Sequence, residues 1–180
     1  MSESVKRMII AVSGSIAAYK SATLASLLMK AGYEVQCVLT ETAYEFIGIS
    51  ALEGITRRAV KRSLFETPHT IDHISLAEWA DLIILYPASA TTIARLAAGS
   101  AEDLVSALFL ANNFRVPYLI APAMNSNMLT HPAVVKNLTQ LGSWGAKILP
   151  TEEGTLACGA LGSGKLLSPE RTFEIIRSAL

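Results

Sequence analysis

Residues 8–20 limit the possible folds of this chain more than any other stretch. Residues 8–12 are apolar and mostly branched, which is typical of a buried parallel strand. Ser13, Gly14 and Ser15 interrupt this run, and from Ile16 onward apolar residues recur at helical spacing. A strand, a loop of small residues and a helix start form a pocket for an anion, because the first helical turn carries unbonded N–H groups and partial positive charge. The stretch predicts either a phosphate-binding loop, to which Ser13 and Ser15 add hydroxyl donors, or a plain structural turn.

The composition of this loop narrows the choice of ligand. A dinucleotide site of the Rossmann type uses three glycines and an acidic residue at the end of the second strand. Here the loop contains one glycine, Gly14, and the second predicted strand is followed by Thr40. The Gly-Lys-Ser/Thr ending of a P-loop is also absent from the loop. These features favour a mononucleotide that is held by hydroxyl groups.

Strand and helix patterns alternate along the rest of the chain. Helical patterns separate the predicted strands, and Pro87 is expected to end the third long one. This alternation predicts an α/β fold with a flavodoxin-like (Rossmann-like) doubly wound parallel sheet in three αβα layers. No linker or repeat interrupts it, so residues 1–180 are expected to form a single domain. The later strands are predicted at residues 33–39, 82–86, 116–121 and 146–149, with a short one at 59–64.

Composition argues against several classes of partner. Hydrophobic residues make up 51% of the chain and charged residues 17%, so we expect part of the surface to be covered in a homo-oligomer. The 15 basic and 15 acidic residues balance without a long basic run, which argues against nucleic acid and anionic membranes as partners. No apolar stretch reaches the roughly 20 residues of a membrane helix. Two cysteines do not make a disulfide framework, so we expect a cytoplasmic protein without a metal centre.

Small and hydroxyl-bearing residues follow four of the predicted strands. Ligands of doubly wound sheets bind outside the carboxyl ends of the strands, where the following loops meet. These strand ends carry residues 13–15, Thr40, residues 89–92 and residues 123–125. Their clustering predicts one ligand site at this edge, although Thr40 is equally well explained as a helix cap.

Two side chains are candidates for acid–base or nucleophilic chemistry. His73 lies just before a predicted helix at residues 74–79, and an imidazole beside a pocket can act as an acid, a base or a charge-stabilising group. A packed or surface histidine is the alternative. Cys158 lies in a glycine-rich, irregular segment at residues 155–165, where a thiol can act as nucleophile or proton donor. Simpler explanations cover the remaining candidates: His69 at the surface, His131 in capping or packing, and Cys37 inside a strand.

Four motifs together resemble a known family. They are SGSIAAYK at residues 13–20, HISLA at 73–77, PAMN at 122–125 with Met128, and LACG at 156–159 with Gly162, Gly164 and Lys165. They resemble the homo-oligomeric flavin-containing cysteine decarboxylases, and within that family the phosphopantothenoylcysteine decarboxylases. The resemblance covers nearly the whole chain. Its first motif is shared more widely, with flavin prenyltransferases, whereas PAMN followed by ACG is specific for the cysteine decarboxylases.

The resemblance implies a non-covalent FMN cofactor. In the family this FMN lies between the subunits of a homotrimer, so His73 would act on FMN held largely by a neighbouring subunit. The implied FMN contacts are Gly14, Ser15, Ile16, Thr40, Thr42, Ser89, Ala90, Thr91, Thr92 and Ala123.

The resemblance also implies a reaction and the roles of individual residues. The reaction is the decarboxylation of 4′-phospho-N-pantothenoylcysteine to 4′-phosphopantetheine in coenzyme A biosynthesis. FMN would oxidise the substrate thiol side chain to a thioaldehyde, CO₂ would leave, and the enethiolate would be reduced again. His73 would be the catalytic histidine, Asn125 would hold the substrate carboxylate, and Cys158 would supply the final proton. Met124, Asn125, Ala157 and Lys165 would contact the substrate beneath a lid at about residues 154–167.

Three departures from the family pattern leave the substrate fit open. Thr91 replaces a usual asparagine, Leu129 a frequent tryptophan, and Lys165 a frequent arginine. A peptidyl-cysteine decarboxylase, a flavin prenyltransferase and a non-enzymatic flavoprotein regulator are the alternatives on the same scaffold. The prenyltransferase is disfavoured by the PAMN and ACG pair, and the regulator by the lack of acidic tails. A chain that ends at residue 180 is expected of a decarboxylase that is not fused to a synthetase.

Overall fold

The computed structural model describes residues 5–65, 71–155, 159 and 161–180. Five parallel strands form the central sheet in the order β2-β1-β3-β4-β5, which is the flavodoxin-like order. Its strands are β1 (Arg7–Val12), β2 (Glu34–Leu39), β3 (Leu82–Ala88), β4 (Tyr118–Pro122) and β5 (Lys147–Ile148). The predicted fold class is confirmed.

Helices cover both faces of this sheet. The helices are α1 (Lys20–Lys30), α2 (Ile49–Thr56), α3 (Asp72–Trp79), α4 (Ala90–Ala98), α5 (Leu104–Asn112), α6 (Ser126–Leu129), α7 (Pro132–Trp144) and α8 (Pro169–Ala179). Short 3-10 helices at Ile16–Tyr19 and Glu41–Glu45 follow β1 and β2.

Alternate residues of β1 face two separate cores, as the pleat of a strand requires. Met8, Ile10 and Val12 pack with α1, α2 and α8 on one face. Ile9 and Ala11 pack with α3, α4, α5 and α7 on the other. This arrangement gives the three predicted layers and brings the loops after β1 to β4 to one edge of the sheet.

A two-stranded antiparallel hairpin lies outside the main sheet. Its strands are β6 (Glu152–Thr155) and β7 (Leu161–Lys165). The sequence predicted an irregular segment at 155–165, and for β7 this prediction was wrong. Glycines at Gly162 and Gly164 lower the strand propensity, but tertiary contacts with the loop after β4 hold the strand in place.

Several other boundaries differ from the predicted ones. Pro87 lies inside β3, at a register shift towards β4 where its missing N–H is tolerated. Residues 59–64 form no strand, because only Lys61 pairs with the sheet, by an isolated bridge to Val38. His73 lies in the first turn of α3 rather than before it.

None of the helices formed by the described residues is both long and apolar enough to cross a membrane.

Candidate functional site

A cavity of about 470 Å³ opens at the carboxyl edge of the sheet, where the loops after β1 and β4 meet the hairpin. Its position agrees with the general rule for ligand sites in open α/β sheets. The residues that line it are Ser15, Ile16, Ala17, Tyr19, Lys20, Ala123, Met124, Asn125, Thr155, Gly164, Lys165 and Leu166.

The loop after β1 is tightly packed against Thr42. A Cβ atom added to Gly14 would lie 2.6 Å from Thr42 Oγ1, so only glycine fits without displacing that side chain. Ser15 caps the following 3-10 helix, and its hydroxyl accepts a hydrogen bond from the Ala17 N–H at 3.3 Å. Thr40 Oγ1 lies 3.3 Å from Thr42 Oγ1, which places both predicted threonines beside the first loop.

Ser13 has a different role from the predicted one. Its buried hydroxyl donates to the Pro87 carbonyl at 2.8 Å and accepts from the Ser89 N–H at 2.7 Å. The side chain therefore joins the loops after β1 and β3, and is not presented to a ligand as a donor. Composition alone did not distinguish this buried serine from the half-buried Ser15.

The loop after β3 begins α4 with a hydroxyl cap. Ser89 Oγ accepts from the Thr92 N–H at 3.3 Å and lies 3.1 Å from Thr92 Oγ1. Ala90 is half-buried, whereas Thr91 is exposed. Residues 89–92 lie next to the first loop through Ser13 but do not line the cavity.

The loop after β4 is fastened to the hairpin. The Met124 N–H donates to the Gly164 carbonyl at 3.0 Å, and the Ser126 hydroxyl donates to the Ser163 carbonyl. A Cβ atom at Gly164 would overlap the Met124 carbonyl, and this glycine has φ of +113°. Asn125 caps α6 by accepting from the Asn127 N–H at 2.8 Å. This contact fixes the orientation of the Asn125 amide at the cavity wall.

Two lysines give the cavity a positive charge. Lys20 Nζ lies 3.4 Å from the Leu166 carbonyl, and Lys165 lies on the hairpin. Burial lowers the pKa of Lys20, and repulsion from Lys165 lowers it further. Burial alone would raise the pKa of Glu152, but hydrogen bonds from Ser168 and the charges of Lys20 and Arg171 bring it below its usual value. An anion between the two lysines would relieve their repulsion.

His73 does not line the cavity. It is half-buried in the first turn of α3, and its Nδ1 atom is buried without a hydrogen-bond partner among the described residues. A buried ring nitrogen is seldom left unpaired. The structure of one chain therefore brings together Ser15, Ile16, the loop after β4 and Lys165, but does not bring His73 to them.

Some predicted positions lie outside the described residues. These are Ala157 and Cys158 in the proposed lid, and His69. His131 caps α7 by accepting from the Ala133 N–H, and Cys37 is buried in β2, as predicted for both.

The sequence interpretation missed Tyr19 and Lys20 as cavity residues. The sequence did contain a signal for Lys20, because it lies four residues after Ile16 and so on the same side of a helix as this predicted site residue.

Exposed apolar side chains surround the helix that carries His73. Ile71 and Ile74 at the start of α3 are 60% and 44% exposed, and Leu110 on the neighbouring α5 is 43% exposed. Phe65, six residues before Ile71, is 90% exposed. Large apolar side chains in such positions are characteristic of a surface that another protein covers.

The comparisons with known proteins agree on one family. The family model described as Flavoprotein matches residues 1–180. A probable phosphopantothenoylcysteine decarboxylase of Streptococcus mutans is 40% identical, over 97% of this chain and 99% of that protein. The coenzyme A biosynthesis bifunctional protein CoaBC of Bacillus subtilis is 40% identical over 94% of this chain, which spans only 42% of that relative's length.

Two solved structures closely match the fold. One is a PPC decarboxylase mutant complexed with pantothenoylaminoethenethiol, with a TM-score of 0.90 and 27% identity over 97% of this chain and 98% of that one. The other is the FMN binding protein AtHal3, with a TM-score of 0.86 and 28% identity over 97% of this chain and 96% of that one.

Proposed function

The chain belongs to the Flavoprotein family, and from that premise we propose that it is an FMN-dependent decarboxylase. Its substrate is 4′-phospho-N-pantothenoylcysteine and its product 4′-phosphopantetheine, a reaction of coenzyme A biosynthesis. The observation that carries the proposal is the cavity, in which the PAMN loop, the hairpin and two lysines meet. The Streptococcus mutans relative of nearly the same length supports the choice of reaction.

The loops at the carboxyl edge fit FMN. Gly14 lets the first loop pack directly against Thr42, so the loops after β1 and β2 lie side by side at this edge. Ser15 and Ser89 begin helical segments whose N–H groups favour a phosphate. The residues that would hold FMN are Gly14, Ser15, Ile16, Thr40, Thr42, residues 89–92 and Ala123. When bound, FMN supplies the oxidation of the substrate's cysteine side chain and returns the same electrons after CO₂ has left.

The cavity fits an elongated anionic substrate. Lys20 and Lys165 would bind its phosphate, because both line the cavity and an anion between them would offset their mutual repulsion. Asn125 would orient the substrate carboxylate, with Met124 beside it. The segment at about 154–167, which includes Ala157, would cover the substrate as a lid and exclude water.

Two residues of the chain would move protons. His73 would accept the proton of the substrate thiol, and the negative charge left on sulfur would favour the oxidation to C=S that bound FMN would supply. The resulting C=S group lies β to the carboxylate and receives the electron pair released when the C–C bond breaks. The Cys158 thiol then donates a proton to the former α-carbon as the hydride returns. The net change in the substrate is the loss of CO₂ and the gain of one proton on the former α-carbon.

We further propose that the protein is a homo-oligomer in which His73 serves the cavity of a neighbouring subunit. Exposed apolar side chains on α3 and α5 would form the contact. A partner subunit's ligand beside His73 would provide the hydrogen bond that its Nδ1 lacks among the described residues.

The test offers the purified protein three compounds separately: 4′-phosphopantothenoylcysteine, unphosphorylated pantothenoylcysteine and a cysteine-ended peptide. We expect a yellow protein that releases FMN on heating, and CO₂ release fastest from the phosphorylated compound. Faster turnover of the peptide would identify a peptidyl-cysteine decarboxylase instead. A colourless protein that takes up no added FMN would contradict the proposal.

A further inference from the structure

The start of α3 is held by a charge pair instead of a helix cap. Ile71 occupies the cap position and makes no side-chain hydrogen bond to the helix. Asp72 follows in the first turn with a side chain that is only 6% exposed, and its Oδ2 lies 3.3 Å from Lys61 Nζ. A carboxylate is seldom buried so far unless a partner compensates its charge.

Lys61 is itself fixed to the sheet. Its N–H donates to the Cys37 carbonyl at 3.0 Å, and its carbonyl accepts from the Leu39 N–H at 2.9 Å. Both partners belong to β2, and Thr40 follows directly. The pair of Lys61 and Asp72 therefore links the first turn of α3 to the strand that leads into the predicted FMN loop.

The opposite end of α3 is held by a second charged group. The Arg115 guanidinium donates to the carbonyls of Ala77 and Ala80, the latter at 3.2 Å. An aspartate in the first turn and an arginine at the last carbonyls both oppose the helix dipole. The two contacts leave α3 little freedom to rotate or slide.

We propose that the Lys61–Asp72 ion pair is a positioning device for His73, and the role rests on the proposed function of that histidine. His73 follows Asp72 in the same turn, and no described residue bonds its buried Nδ1 atom. A shift of this turn would therefore carry the imidazole with it. A displacement of about 1 Å at a catalytic group can cost about 100-fold in rate.

The experiment uses the FMN-loaded protein in five forms besides the wild type. Lys61→Met removes the cation, Asp72→Asn removes the anion, and Lys61→Arg keeps the charge. Arg95→Met is the matched control, because Arg95 also pairs with a partly buried aspartate, Asp103, at 2.8 Å, on elements that do not carry His73. Histidine labelled with ¹³C in the ring reports the imidazole directly, and His73→Asn assigns its signal.

In Lys61→Met and Asp72→Asn we expect the His73 signal to shift or broaden while the His131 signal stays unchanged. The value of kcat falls at least about tenfold, and KM changes by less than about twofold, because the substrate contacts are intact. Lys61→Arg restores the His73 signal and most of kcat, and Arg95→Met behaves as the wild type. A general loss of stability would also change KM, the His131 signal or the FMN content, so unchanged values of all three exclude it.

A wild-type His73 signal and kcat in folded Lys61→Met overturns the proposal. If Lys61→Met does not fold, Asp72→Asn decides the question by the same two criteria. If the wild-type protein releases no CO₂ from any of the three compounds, the proposed function fails, and the His73 signal in the variants still decides the positioning role.

Discussion

Lys20 illustrates how a single residue connects local structure with ligand choice. It begins α1 directly after the first loop, is half-buried, and lies at the cavity wall with Lys165. Burial and repulsion from the second lysine lower its pKa, although Glu152 and Glu170 act in the opposite direction, so an anionic ligand in the cavity would further stabilise its charge.

Replacing Lys20 by methionine should therefore raise KM for the phosphorylated substrate. A charge-assisted hydrogen bond is worth about 1.5–3 kcal/mol, which corresponds to an increase of roughly 10- to 100-fold. KM for unphosphorylated pantothenoylcysteine should change little. Steady-state kinetics with both substrates make the comparison, with Lys30→Met, exposed at the far end of α1, as the control. An equal increase for both substrates would count against a phosphate contact.

Cys37 provides a second test at the scale of one residue. Burial in β2 raises the pKa of its thiol to about 12, so at pH 8 only about one molecule in 10⁴ carries the thiolate. In the Cys158→Ser variant, native protein should take up no iodoacetamide at this pH until denaturant is added. Mass spectrometry of the alkylated peptides measures this, and rapid labelling of native Cys37 would show that β2 is more open than described.

At the scale of elements, the loop after β4 and the hairpin act as one wall of the site. The bond from Met124 to Gly164 and the bond from Ser126 to Ser163 join them. Glu152, at the base of β6, accepts from the Ser168 N–H at 3.1 Å and so ties the hairpin to the start of α8.

The substitution Gly164→Ala should separate the hairpin from the loop after β4. A Cβ would overlap the backbone of Met124, which cannot move aside as a flexible side chain could. We expect kcat/KM to fall at least about tenfold, because the substrate-facing loop is displaced. Gly32→Ala is the matched control, since Gly32 has φ of +88° but open space around it and carries only the backbone penalty of about 1 kcal/mol. Similar values of kcat/KM for the two variants would mean that the close contact between Gly164 and Met124 does not matter for activity.

The elements also show which features the sequence could predict. The five strands were recognisable because each contains apolar residues in a short run between helical patterns, although β2 and β5 also carry polar residues. Strand β7 was not recognisable, because contacts with Met124 and Ser126, distant in sequence, override its glycine-rich composition. The same reason hid the role of Ser13, whose two partners lie 74 and 76 residues away.

For the whole molecule, the main consequence is that the described residues of one chain leave His73 apart from the cavity proposed for the substrate. His73 lies on α3 outside the cavity, next to the exposed side chains of Ile71 and Ile74. The fold and cavity were predictable from local patterns, whereas this separation was expected only from the family resemblance and arises in the structure where α3 packs against α5.

Mixing two variants that each fail to form the saturated product tests the shared site. His73→Asn and Cys158→Ser subunits, unfolded together and refolded, should regain activity, because some cavities then receive His73 from one subunit and Cys158 from another. With random mixing in a closed ring, about a quarter of the sites are complete. The formation of 4′-phosphopantetheine is measured for the mixture and for each variant refolded alone. An inactive mixture of correctly assembled oligomers would place both groups in one subunit's own site.

The most direct test of the proposed chemistry is the mass of the product that the Cys158→Ser variant forms from 4′-phosphopantothenoylcysteine. The account predicts one CO₂ for each FMN and a product two hydrogen atoms lighter than 4′-phosphopantetheine, since oxidation and decarboxylation proceed but the final proton is not delivered. The wild-type protein, run in parallel, should give the saturated thiol. Saturated product from Cys158→Ser at the wild-type rate would contradict the account.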